Sequence, residues 1–172
     1  GILYTQQWLT ELYEECSESV VVILNYGYDS DIDPQSVGSG FIVSPDGIII
    51  TNDHVIDNAV SVRVYFPTLD ERMDAKVFVS NDKYDFAILK VDAANLKSVE
   101  IGDVGDVKIG HEVASISTPA GIYTNTLSKG NISNLYGKEN FIQFTADISP
   151  GSSGGPLFNT SSEVIGITTL AD

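Results

Sequence analysis

The spacing of apolar residues changes period once along this chain. From Thr5 to Ser19 it is helical: Leu9, Leu12, Tyr13 and Cys16 fall on one face and Thr5 stands where an N-cap belongs, which predicts a short amphipathic helix over residues 5–19. After Ser19 the pattern turns to short runs rich in β-branched and aromatic residues. Val20–Tyr26, Val37–Ser44, Gly47–Asn52, Val60–Phe66, Met73–Ser80 and Asp85–Val91 read as six strands, parted by turn signals such as Ser44-Pro45-Asp46-Gly47 and Ser80-Asn81-Asp82. A second series follows at Glu112–Ser117, Asn125–Asn134, Asn140–Asp147, Gly155–Phe158 and Val164–Leu170. Between the two series, Ala93–Gly110 carries Gly102, Gly105 and Gly110 with few apolar residues and reads as a linker. Many short strands with almost no helix predict an all-β sandwich or barrel. Six runs, a linker and five more predict two barrels of similar size, over residues 20–92 and 105–172, the second short by one strand.

Composition narrows the partners more than the fold. A chain of 172 residues with 42% apolar residues is long enough for a substantial core, and Val, Ile, Leu, Phe and Tyr recur throughout, which argues against disorder. The 24 acidic residues against 9 basic ones give a formal charge of −15. So few cations exclude a phosphate-tracking face, hence no nucleic acid is expected, and the same acidity opposes docking on anionic lipid. Cys16 is the sole cysteine, which leaves no intrachain disulfide and no thiolate zinc cluster, and it reads as a small hydrophobe on the helix. No apolar run reaches the roughly 18 residues that span a bilayer, and Gly1-Ile2-Leu3 does not open a signal peptide. The chain as it stands is therefore expected to be soluble, with a membrane reached only through a segment absent from it.

Only His54 and His111 are available as histidine bases. His54 follows the apolar strand Ile48-Ile49-Ile50 at the entry to a turn, where side chains project into clefts or simply sit in a loop, whereas His111 lies in the linker and reads as a surface residue. In Ser149-Pro150-Gly151-Ser152-Ser153-Gly154-Gly155-Pro156-Leu157, small residues around a serine let backbone N–H groups converge on one point, as acyl transfer requires, or else form a flexible loop. Gly151, Ser153 and Gly155 also satisfy G-x-S-x-G, but an α/β-hydrolase elbow needs its histidine after the serine, and both histidines precede Ser153. Asp85 opens the apolar strand Phe86–Val91 and is placed to orient a histidine, a role for which Asp53, Asp57 and Asp82 compete. Two histidines far apart, with no spaced ligand motif, offer no metal centre.

The order His54, Asp85, Ser153 across two β-rich halves resembles the chymotrypsin-fold serine proteases, and within them the HtrA/Deg branch. The resemblance rests on Gly38-Ser39-Gly40-Phe41-Ile42-Val43-Ser44-Pro45-Asp46-Gly47, Ile50-Thr51-Asn52-Asp53-His54-Val55, Asp85-Phe86-Ala87-Ile88-Leu89-Lys90-Val91, Ser128-Lys129-Gly130-Asn131-Ile132-Ser133 and the Gly151–Leu157 segment, and it runs from Trp8 to Leu170. It implies a single protease domain over 1–172, made of two perpendicular six-stranded barrels with the active site between them. It implies His54 as general base and acid, Asp85 as its orienting carboxylate, Ser153 as nucleophile, and the N–H groups of Gly151 and Ser153 as the oxyanion hole. No metal or organic cofactor is implied. The substrates would be unfolded or exposed protein segments, met in an extracytoplasmic place: the periplasm, the cell envelope or outside the cell.

Three departures qualify the resemblance. Ser152 stands where digestive proteases carry the Asp that pairs with a new N-terminal amine, so activation by N-terminal cleavage is not expected. Asp147, six residues before Ser153, occupies the offset at which trypsin-like enzymes bind Arg or Lys side chains; it either lines the substrate pocket or points to solvent, and Ile148 competes for the lining. Relatives continue past the strand equivalent to Val164–Leu170 into one more strand and a helix, which implies a second barrel lacking its last strand and no room for a PDZ module. Tyr4 and Trp8 match an N-terminal segment that packs in a homotrimer in this branch, or else they pack on their own domain. An intact triad favours an enzyme; the missing strand and Ser152 favour the alternative, a non-catalytic or latent module that binds peptides or regulates a partner.

Overall fold

The computed structural model describes the backbone of residues 2–118, 124–138 and 140–169, and side chains from residue 7 onward. Strands β1 (Val20–Tyr26), β2 (Ser36–Ile42), β3 (Ile48–Thr51), β4 (Ser61–Phe66), β5 (Glu71–Asn81) and β6 (Phe86–Val91) close into a barrel in the order β1-β2-β3-β6-β5-β4. The closure follows from the side-chain alternation. In β4 and β6 every second residue is buried, and these inward residues meet Val21, Ile23, Ile42 and Ile49 in one core. Strand β1 is buried along both faces, with Val22, Leu24 and Tyr26 packed outside the barrel against Val37 and Tyr65. Each such side chain contributes about 1.5–3 kcal/mol by leaving water.

The second half is a sheet of six strands, open among the described residues, in the order β10-β9-β8-β11-β12-β7. Its members are β7 (Glu100–Ile101), β8 (Glu112–Ser117), β9 (Thr126–Tyr136), β10 (Phe141–Phe144), β11 (Pro156–Phe158) and β12 (Glu163–Ile167). Leu170, placed in the last strand from the sequence, lies outside the described residues. The two-part β architecture is as expected, with the second barrel supported in part by this six-stranded sheet, which holds one strand more than the five runs read from the sequence. The sixth comes from the supposed linker: Glu100 and Ile101 pair in parallel with Glu163 and Val164. The same stretch is packed rather than loose. Val99 is buried, its N–H donates to the Ile42 carbonyl at 2.9 Å, and the Gly102 N–H donates to the Val164 carbonyl at 2.8 Å.

Helix α1 (Ile2–Cys16) begins three residues before Thr5, which therefore does not cap it, and a short 3-10 turn, Ser17–Ser19, leads into β1. Leu12 and Cys16 of α1 are buried where the halves meet, against Phe41 of the barrel, Val99, and Ile116 and Phe158 of the sheet. Half-buried Trp8 packs on this same cluster, within its own chain. Burial, with a contribution from Glu15, pushes the Cys16 thiol up to about 11. The side chain of Tyr4 lies outside the described residues. Among the described residues no helix is long and apolar enough to cross a membrane.

Candidate active site

His54 is carried by a 3-10 turn, Asp53–Ile56, at the end of β3, and Asp85 stands just before β6, the strand hydrogen-bonded to β3. The register Thr51↔Ala87 therefore brings the two residues side by side. One Asp85 carboxylate oxygen accepts the His54 backbone N–H at 2.9 Å, and the other lies 2.7 Å from Nδ1. An ionised carboxylate only accepts, so the ring nitrogen facing it, Nδ1, is the one that carries a proton, and in the neutral ring the lone pair is on Nε2. The histidine side chain is 50% exposed and the aspartate 31%, which leaves the ring open to solvent.

Asp85 adopts φ of 53°, a left-handed conformation that aspartate tolerates better than most residues. Buried Asn52 holds it there. Its side-chain amide donates to the Asp85 carbonyl at 2.8 Å, and its oxygen accepts the Thr169 hydroxyl at 3.3 Å. Of the rival carboxylates, that of Asp53 accepts a hydrogen bond from the Ser80 hydroxyl, and the side chains of Asp57 and Asp82 are exposed. The Asp57 main-chain carbonyl accepts a hydrogen bond from Asn25 at 2.9 Å. His111 is exposed, its Nδ1 accepting the Lys108 N–H at 3.2 Å.

Ser153 lies in the loop before β11. The Ser152 N–H donates to the Ser149 carbonyl at 2.9 Å, with Pro150 next and Gly151 at φ of 86°, which together define a type II turn. Proline presets the first central position, and only a glycine takes the second without strain. Gly154 shows why the loop needs small residues: at φ of 94°, an added Cβ would lie 2.1 Å from the Ser39 carbonyl and 2.5 Å from the Thr51 hydroxyl. The loop therefore presses on the middle of β2 and the end of β3, beside the turn that carries His54. The Ser39 N–H of β2 donates to the Ser153 carbonyl at 2.8 Å, a bond between the two halves. Ser153 is 6% exposed.

Ser152 is buried and its hydroxyl lies 3.1 Å from that of Ser117 and 3.1 Å from that of Ser149. The Ser152 carbonyl accepts from the Thr168 hydroxyl and the Gly155 N–H, both at 3.2 Å. Neutral hydroxyls thus support the loop where a salt bridge serves elsewhere. Asp147 is exposed and Ile148 half-buried, both between β10 and the serine turn. Reasoning from the sequence assigned no role to Asn52, Thr168 or the Ser39 hydroxyl. The glycines flanking Ser39 were the available signal, because an added Cβ at Gly38 would lie 3.1 Å from the Ser153 carbonyl.

A β-rich domain with a closed barrel, a histidine and aspartate joined at the end of paired strands, and a glycine-rich serine turn bonded to that barrel has the architecture of a trypsin-like peptidase. The chain belongs to the trypsin-like peptidase domain family, whose model matches residues 38–167. It is 39% identical over 148 residues to a probable periplasmic serine endoprotease, DegP-like, of Pseudomonas savastanoi pv. phaseolicola. A protein of the same description from Halomonas elongata is 42% identical over 143 residues. The alignments take in 82% and 78% of this chain but only 30% and 29% of those proteins, so the chain spans under a third of these relatives' length. The crystal structure of the serine endoprotease from Yersinia pestis superposes with a TM-score of 0.83 at 33% identity, covering 95% of this chain and 58% of that one.

Proposed function

We propose that this domain is a serine endopeptidase in which His54, Asp85 and Ser153 form the catalytic triad. The observation that carries the reading is the two-point grip of Asp85 on His54, at 2.9 Å and 2.7 Å, which fixes both the tautomer and the ring. In this mechanism Nε2 takes the Ser153 hydroxyl proton as Oγ attacks the scissile carbonyl. Asp85 stabilises the imidazolium so formed, and the proton passes on to the leaving amine. The N–H groups of Gly151 and Ser153 receive the oxyanion, a contribution of about 2.7–4 kcal/mol for one donor. Ile148 supplies the apolar wall of the substrate pocket and Asp147 a carboxylate at its mouth.

The substrates are unfolded or exposed protein segments. The names of the relatives support an extracytoplasmic place of action, the periplasm first. A fluorophosphonate that phosphonylates activated serines tests the reading. The protein is expected to label, and Ser153→Ala to abolish labelling and lower kcat on an unfolded protein by about 10⁵–10⁶. A protein that stays unlabelled while its circular dichroism shows it folded sinks the enzyme and leaves the peptide-binding module.

A further inference from the structure

The geometry points to Ser39 as a positioning residue for acylation, its side-chain hydroxyl seating the turn that carries Gly151; this rests on the serine-protease reading above. Ser39 lies on β2 in the closed barrel and is wholly buried. Its hydroxyl has one proton and two lone pairs, and three groups surround it. The Gly151 carbonyl lies 3.0 Å away, the Thr118 N–H donates to the oxygen at 2.9 Å, and the Thr118 hydroxyl lies 2.9 Å away. A carbonyl only accepts and an amide N–H only donates. The one proton therefore goes to Gly151, and the Thr118 hydroxyl must donate to Ser39. All of the hydroxyl's bonding capacity is used, and its direction has no alternative.

The main chain of the same residue makes two further bonds. Its N–H donates to the Ser153 carbonyl at 2.8 Å, and its carbonyl accepts from the Thr51 hydroxyl at 2.7 Å. Ser39 thus grips the carbonyls of Gly151 and Ser153, the two residues whose N–H groups would receive the oxyanion. The bond from Ser152 to Ser149 is internal to the turn, so it sets the turn's shape but not its place. The bond from Ser39 reaches Gly151 from the other half of the molecule and sets that place. Oxyanion stabilisation depends on donors standing within a few tenths of an ångström of the developing charge, which is where such a brace acts.

Ser39→Ala removes the hydroxyl and keeps both main-chain bonds. Its second-order rate of fluorophosphonate labelling is expected to fall about 10- to 100-fold, and kcat on β-casein in step, with KM changed less than about threefold. Ser19→Ala is the matched control. It deletes an equally buried hydroxyl, bonded to the Lys97 carbonyl at 2.8 Å and remote from the turn, and is expected to keep the wild-type rate despite a lower Tm. Ser39→Cys keeps a weaker donor and is expected to fall between wild type and Ser39→Ala. A Ser39→Ala protein that labels and turns over within about twofold of wild type overturns the inference. If that variant does not fold, Ser39→Cys at the wild-type rate overturns it instead. Failure of the wild-type protein to label is a separate result, which removes the serine-protease reading itself.

Discussion

At the scale of single residues, the site depends on groups whose environment admits one chemistry. Ser152 is 2% exposed among neutral hydroxyls. A carboxylate placed there meets no cation among its described partners, and its burial costs several kcal/mol. Burial would raise the pKa of that carboxyl above its value in the unfolded chain. The penalty is therefore small below about pH 4, where both states are protonated, and grows as pH rises. Ser152→Asp is expected to lower Tm more at pH 8 than at pH 4.5, and an equal loss at both removes the electrostatic cause. Cys16 offers a second reading of environment. Its thiol is pushed up to about 11 from 9.0, so at pH 8 the folded protein holds roughly a hundredfold less thiolate than the unfolded chain. Alkylation by iodoacetamide is expected to be slow in buffer and fast in denaturant. The pairing of His54 with Asp85 was legible in the sequence because each sits at a strand end with a distinct local signal. Asn52 and the Ser39 hydroxyl were not, since a buried polar side chain shows its purpose only when a segment distant in the chain, Asp85 for Asn52 and Gly151 for Ser39, is folded against it.

At the scale of elements, the barrel's strands were legible nearly to their ends, because β-branched runs bounded by turns leave little choice. Strand β7 was not legible. Two residues, Glu100 and Ile101, among glycines carry no periodicity, and parallel pairing with β12 is fixed by backbone alone. The segment around them acts as a strap, bonded to β2 through Val99 and to β12 through Gly102. Val99→Ala removes two methyl groups from the core shared by helix, barrel and sheet, at about 0.8 kcal/mol each plus the cavity left behind. Chemical denaturation is expected to show a loss of about 1.5–3 kcal/mol in a single transition. Separate transitions for the two halves would mean that the strap does not couple them.

For the whole molecule, the formal charge of −15 gives a net negative field. Steering by that field favours basic segments and weakens with salt. For peptides differing only in the residue before the scissile bond, the preference for Arg over Val is expected to shrink as ionic strength rises. Asp147 is exposed, so its own share is modest. Asp147→Asn is expected to lower the Arg-to-Val ratio by about two- to fivefold, as befits a solvent-screened pair. Cleavage after Arg and Val that is equal in both proteins and at every salt concentration would show that Asp147 takes no part in substrate choice.

The bond from the Ser39 amide to the Ser153 carbonyl joins the barrel to the second half of the chain. An amide hydrogen held this way exchanges with solvent only when the serine turn lifts from the barrel. Deuterium uptake at that single position is then a clock for the opening of the cleft. It can be read in the resting protein, without substrate and without turnover, and compared directly with the rate at which Ser153 is labelled.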